Sequence, residues 1–159
     1  PFVDLRPLHE SMKSDLDHAI QRVRDNSYYI LGPESKAFDA EFARYNGTRH
    51  AIGTGNCLDS LQLVLRSLDV RPGDEVITTT HTFVASASSI VLAGATPVLV
   101  DCDPVHLSID PQAVEAAITP RTKAILPVHL FGQLVDVKPL MELACERELI
   151  ILEDAAQAI

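Results

Sequence analysis

The sequence is short of positive charge. Thirteen lysines and arginines stand against twenty-two aspartates and glutamates, a net charge of −9, and the acids are scattered. Nucleic acid and anionic membrane both demand a basic face, so neither partner is expected. Long apolar runs are missing too. None approaches the roughly 20 residues of a membrane-spanning helix. The opening PFVDLRPLHE has no basic segment and no apolar stretch behind it, so it does not read as a signal peptide. It also lacks an initiating methionine. The expectation is a processed N-terminus or a chain that begins inside a longer one. Cysteines are few: Cys57, Cys102 and Cys145 are odd in number and far apart. They supply neither a disulfide framework nor a Cys-x-x-Cys pair, and a reducing cytoplasm is the plain reading. The six histidines are equally dispersed, with no pair four residues apart and none beside a cysteine. That spacing argues against a zinc site.

What is present is enough for a globular domain. At 47% hydrophobic and 22% charged, 159 residues can bury a sizeable core. Leu8, Met12, Leu16, Ile20 and Val23 follow Pro7 at helical spacing and predict an amphipathic helix over 8–25. Gly32-Pro33 is a turn. Glu34 opens a second helix with Phe38, Phe42 and Tyr45 on one face, closed by Asn46-Gly47.

From His50 the pattern changes. Short apolar runs alternate with helical stretches: AIGT (51–54) before a helix over 57–68, EVITTT (75–80) before one near 84–93, and TPVLV (96–100) before 111–118. KAILPV (123–128) then precedes 137–148, and LIILE (149–153) begins another unit. The runs lack polar alternation, so both faces of each strand are expected to be covered. Strand–helix repetition predicts an α/β fold with a doubly wound, mostly parallel sheet and flanking helices. The expected organisation is an N-terminal helical segment over 1–49 and an α/β domain over 50–159. In such sheets ligands sit beyond the carboxyl ends of the strands. That directs attention to GTGNCL, THTF, DCDP, HLFGQ and EDAAQ.

GTGNCL (53–58) joins a predicted strand to a helix. Its glycines permit a tight turn, and the first amides of the helix point outward unpaired, an anion site suited to phosphate. Leu58 stands where the dinucleotide fingerprint needs glycine, and the P-loop Gly-Lys-Ser/Thr is absent. The plain alternative is a glycine-rich turn with no ligand. DCDP (101–104) resembles the Asp-x-Asp of magnesium-dependent phosphotransferases, but it lies mid-chain and runs into Pro104. A turn-forming Asp-Pro is the preferred reading. Phe83 is either a core residue or a ring that stacks on a flat cofactor. Asp154 ends an apolar strand, where an ionised carboxylate is costly unless paired. It either N-caps the next helix or pairs with a buried cation. A protonated pyridine nitrogen would supply one. Phosphate amides, an aromatic and an acid at neighbouring strand ends would together grip a phosphorylated pyridine.

These residues resemble the DegT/DnrJ/EryC1/StrS sugar aminotransferases. The resemblance runs through FVDLRP, YYILGPESKAFDAEFARYNGTRHAIGTGN, GDEVITTTHTFVASASSIVLAGATPVLVDCDP, IDPQAVEAAITPRTKAILPVHLFGQ and ILEDAAQA, in order. It implies the large domain of the aspartate-aminotransferase fold and pyridoxal 5'-phosphate as cofactor. Asp154 would pair with the pyridine nitrogen, Gln157 with the phenolic oxygen, and Phe83 would stack on the ring. The amides of Cys57 and Leu58 would hold the phosphate. His129 and Gln133 would lie toward sugar and neighbouring subunit. The implied reaction moves an amino group from an amino acid, glutamate by expectation, to a keto sugar of a nucleotide-linked hexose, in a cytoplasmic homodimer. Many relatives read NGTDAL where this chain reads NCLDSL (56–61). A leucine at 58 leans toward a 3-keto sugar.

The family's Schiff-base lysine follows the EDAAQA segment. Lys13, Lys36, Lys123 and Lys138 all precede it, and none matches. The catalytic lysine is therefore expected downstream of Ile159, with the C-terminal part of the enzyme, and residues 1–159 alone are expected to be inactive. Two other readings stay open: a sugar dehydratase of the same fold, with histidine in place of that lysine, and a regulatory relative that binds cofactor or sugar without turnover.

Overall fold

A computed structural model of the chain describes residues 3–159. The chain divides into two compact units, Pro1–Gly53 and Thr54–Ile159.

The first unit holds three helices: α1 (Arg6–Ser11), α2 (Lys13–Asn26) and α3 (Pro33–Tyr45). The single helix expected over 8–25 is thus two, divided at Met12. The Ser11 hydroxyl bonds the Leu8 carbonyl at 2.8 Å, the same carbonyl that accepts the Met12 amide at 3.2 Å. A serine that bonds back to the preceding turn disturbs a helix in this way. Ser27 ends α2 in the left-handed conformation. Gly32 then tolerates no side chain, because a Cβ there would lie 2.6 Å from the Tyr28 carbonyl oxygen. Arg22 forks onto Glu34 with contacts of 3.0 and 3.1 Å, tying α2 to α3. Leu8, Leu16, Ile20 and the run Tyr28–Leu31 are all exposed.

The second unit is the α/β body. It comprises α4 (Cys57–Ser67), β1 (Glu75–Thr79), α5 (Val84–Ala93), β2 (Thr96–Val100) and α6 (Pro111–Ala117). β3 (Thr122–Leu126), α7 (Lys138–Arg147) and β4 (Ile150–Ile151) complete it. All four strands are parallel, in the order β2-β1-β3-β4. Alternate residues serve opposite faces. Val76, Ala124 and Leu126 pack with Leu61 and Leu65 of α4 and Ile90 of α5. Ile77 and Ile125 pack on the other side with Val114 of α6 and Leu140 and Leu143 of α7. This double cover holds for β1 and β3; edge strand β2 leaves Thr96 and Leu99 exposed, so the expected cover of every strand fails there.

Two strand expectations need correction. Residues 51–54 form no strand, since a strand exists through its pairing and none of the described residues pairs with these four. β4 is only Ile150–Ile151; the ladder resumes as one parallel bridge between Val128 and Asp154. Among the described residues, no helix is long and apolar enough to cross a membrane.

At the amino end of β1 the buried Glu75 accepts from the Thr119 hydroxyl at 2.5 Å and from Arg121 Nε at 2.9 Å. These donors, Thr119 first, hold its carboxyl below the usual range. A carboxyl lowered by folding stabilises the fold above its unfolded value, about pH 4.3. That stabilisation is lost as pH falls through the lower, folded value. Chemical denaturation at a series of pH values from neutral to acid should therefore show stability falling less steeply in Glu75→Gln than in the wild type below about pH 4.3.

Candidate functional site

The carboxyl ends of β1, β3 and β4 and the amino end of α4 converge on one cavity of 430 Å³. Of the seven residues that the resemblance singled out, Cys57, Leu58, Phe83, His129, Asp154 and Gln157 line it, and Gln133 does not. None of the four lysines does.

The α4 end is built by its cap. Asn56 Oδ1 accepts the Asp59 amide at 2.9 Å, and Asn56 Nδ2 donates to the Asp59 carboxylate at 2.8 Å. Thr54 bonds the Asn56 carbonyl at 3.1 Å and braces the loop. Cys57 and Leu58 occupy the first two helical positions, whose amides no intrahelical carbonyl can reach. Both remain free for an anion, favoured further by the helix dipole. Leu58 contributes no hydroxyl.

Asp154 lies between the strand ends and is 5% exposed. Its main chain is fixed first: its amide donates to the Pro127 carbonyl at 2.9 Å, and its carbonyl accepts the His129 amide at 3.0 Å. Its carboxylate then collects three donors. The Ser86 hydroxyl gives Oδ2 a 2.7 Å bond, the Ala156 amide reaches Oδ1 at 3.2 Å, and the Cys57 thiol lies 3.6 Å from Oδ1. The Ala156 bond closes a turn, and no helix follows Asp154 among the described residues, so the helix N-cap expected of this aspartate is not formed. A carboxylate offers about four lone-pair sites. Among the described residues, no lysine, arginine or histidine pairs with Asp154. It is a buried acid, hydrogen-bonded yet without a counter-charge.

The remaining lining residues differ in what they offer. Phe83 caps the start of α5 and is 68% exposed, so it is not a core residue. Gln157 Oε1 accepts the Phe131 amide at 2.7 Å, which leaves its NH₂ group as the available donor. That contact holds the Leu130–Gly132 turn, where Phe131 adopts φ 57°. His129 is committed at both ring nitrogens. Nδ1 accepts the Val135 amide at 3.0 Å and must be unprotonated. Nε2 therefore carries the proton and donates to Glu153 at 2.8 Å. His129 offers the cavity no free nitrogen. Gln133 turns away to the His106 carbonyl at 2.8 Å and lines a separate cavity of only 80 Å³.

The DCDP carboxylates serve local turns. Asp101 accepts the Cys102 amide at 2.8 Å. Asp103 accepts the amides of His106 and Val105 at 2.6 and 3.0 Å, and these bonds, His106 first, hold its carboxyl low. Sequence reasoning missed Ser86. It is hidden in the small-residue run VASASS, and its one outward sign is that it stands four residues after Thr82.

Over residues 10–159 the chain matches the family described as DegT/DnrJ/EryC1/StrS aminotransferase. The chain belongs to this family. It is 51% identical over 158 residues to the dTDP-3-amino-3,4,6-trideoxy-alpha-D-glucose transaminase of Streptomyces venezuelae, covering 99% of this chain and 42% of that protein. It is 46% identical over 159 residues to the pleiotropic regulatory protein of Geobacillus stearothermophilus, covering 100% and 43%. A crystal structure of NtdA from Bacillus subtilis with bound cofactor PMP superposes with a TM-score of 0.95 at 33% identity, covering 100% of this chain and 37% of that one. The chain thus spans about two fifths of the length of these family members.

Within this family member, burial first and the neighbouring Asp154 second push the Cys57 thiol above its usual range. Thiolate is the reactive form. Cys145, exposed on α7, should be alkylated by iodoacetamide at mildly alkaline pH well before Cys57. Peptide mapping by mass spectrometry over time reads the order.

Proposed function

We propose that the whole protein is a pyridoxal-phosphate-dependent aminotransferase. It would carry an amino group from an amino acid, glutamate in our reading, to the keto group of a nucleotide-linked hexose. One observation carries this reading: a buried carboxylate with three hydrogen-bond donors and, among the described residues, no cationic partner, on the wall of a 430 Å³ cavity. A pyridinium N–H meets that need.

The other lining groups fit the same molecule. The free amides of Cys57 and Leu58 suit its phosphate. The exposed face of Phe83 suits its ring. The NH₂ of Gln157 suits its phenolic oxygen. When bound, the protonated ring would supply an electron sink for the electron pair left on carbon as a proton is removed. Asp154 keeps that nitrogen protonated, Phe83 and Leu58 exclude water from the ring, and Gln157 fixes the ring's rotation. A lysine from beyond residue 159 is needed beside the cofactor, so residues 1–159 alone would not turn over. The Streptomyces venezuelae relative makes a 3-amino sugar by its name, which with Leu58 favours a 3-keto substrate. The three free cysteines support a reducing, cytoplasmic setting.

The relative named as a pleiotropic regulatory protein favours a second reading, in which the same pocket binds without turnover. Single-turnover conversion of bound cofactor by an amino acid separates the two.

In the whole protein, Asp154→Asn should lower kcat by roughly a hundredfold or more, the scale for removing one electrostatic partner of a reacting group. Folding should survive, because the asparagine keeps the contact with Ala156. Steady-state transamination and circular dichroism check both halves, and near-normal turnover would sink the assignment.

We also propose that the whole protein is a homodimer. The run Tyr28-Tyr29-Ile30-Leu31 is 57–80% exposed, and contiguous apolar surface of this kind marks a contact. Sedimentation should find a dimer for the wild type and a shift toward monomer in Ile30→Asp.

A further inference from the structure

β2 pairs with β1 on one side, and among the described residues no strand lies on its other side. An open edge of this kind is a template for a further strand, and proteins commonly blunt it with charge. Charge is missing here. Residues 82–100 contain no Asp, Glu, Lys or Arg. Leu99 is 53% exposed, and Thr96 is exposed too. The feature that stands on the edge is Pro97.

The ladder fixes which way each backbone group points. The Thr96 amide donates to the Asp74 carbonyl at 2.9 Å, and the Val100 carbonyl accepts the Thr80 amide at 2.9 Å. Direction alternates along a strand, so Thr96, Val98 and Val100 turn their N–H and C=O groups to β1. Pro97 and Leu99 turn theirs to the open side. Proline thus sits where its missing N–H costs the sheet nothing. Both ends of the open stretch are closed. The Ala95 amide is taken by the Ile90 carbonyl at 3.1 Å, and the Asp101 carbonyl accepts the Asp110 amide at 3.4 Å. What remains open is Pro97 and Leu99, and Leu99 alone of the two can donate.

We propose that Pro97 is an edge guard that closes β2 to strand addition by a second copy of this chain. The open stretch is self-complementary. Two copies meeting antiparallel about a twofold axis would set residue 97 of each against Leu99 of the other. Facing residues in such a pair exchange N–H and C=O in both directions. Proline deletes the donor at both ends of that pairing, and its ring fills the space a facing carbonyl would enter. The uncharged segment offers no like-charge repulsion, so the task falls to the proline. Pro97 does not line the 430 Å³ cavity, and the inference is independent of the cofactor reading.

The test uses the whole protein. Pro97→Thr restores the N–H and adds polarity, so association cannot come from a more apolar surface. Sedimentation velocity over a concentration series should show species larger than those of the wild type, with kcat unchanged. Hydrogen exchange read by mass spectrometry should slow in peptides that contain Leu99. Pro97→Val should behave alike. In the Pro97→Thr background, Leu99→Lys puts a charge on the edge and should return both readouts to wild type. Leu99→Pro in that background moves the missing donor to the other outward position and should do the same; if it fails to fold, Leu99→Lys decides. The new association should persist with Ile30→Asp, because it does not use the Tyr28–Leu31 run. A Pro97→Thr protein that sediments as wild type at every concentration overturns the guard. So does association that leaves the Leu99 peptides exchanging at the wild-type rate, or that survives Leu99→Lys.

Discussion

An acid buried without a cation must be held by dipoles, and the site is organised around that requirement. Asp154 draws donors from three separate places: the first residue of α4, the first turn of α5 and the turn after β4. Each has to be in position for the carboxylate to be tolerated, which couples helices on one face of the sheet to the end of its shortest strand. The main-chain bonds to Pro127 and His129 explain how a two-residue strand can carry such a group. The ladder resumes at the one position where a side chain must be fixed.

His129 shows the same logic with a neutral group. Its ring is buried between a backbone donor and Glu153, and each nitrogen has one assigned task. Protonating Nδ1 would set an N–H against the N–H of Val135. The histidine thus serves as a fixed wall that aligns the β3 and β4 loops, and the chemistry at the cavity falls to groups with unspent capacity: two amides, one carboxylate and one NH₂.

Much of this was legible from residues alone, for identifiable reasons. β1 and β3 are short β-prone runs bounded by turn residues and buried on both faces, whereas edge strand β2 leaves Thr96 and Leu99 exposed, which its apolar run did not announce. Asp154, Phe83 and Gln157 could be found because a parallel sheet places ligands at one end. AIGT was misread because strand character depends on a partner, and local sequence carries no record of one. The break at Met12 depends on a serine rotamer, which hydrophobic periodicity does not see. Ser86 was invisible for a similar reason, since a hydroxyl in a small-residue run looks like packing until the fold brings Asp154 to it. The tautomer of His129 is set by Val135 and Glu153, groups whose approach only the folded chain defines.

The strand order β2-β1-β3-β4 also governs how the body assembles. Among the described strands β1 is made first, yet it is paired on both sides, and both its partners come later, each after a helix. Every ladder therefore closes a long loop, and non-local parallel pairing of this kind is slow. Until β2 and β3 arrive, the five residues of β1, all buried in the finished sheet, remain uncovered with both strand edges unpaired. α4 and α5 can shield one face early, while the other waits for α6 and α7. Synthesis thus passes through a stage that exposes a β-prone segment with unpaired edges, the condition under which nascent chains aggregate and chaperones engage them.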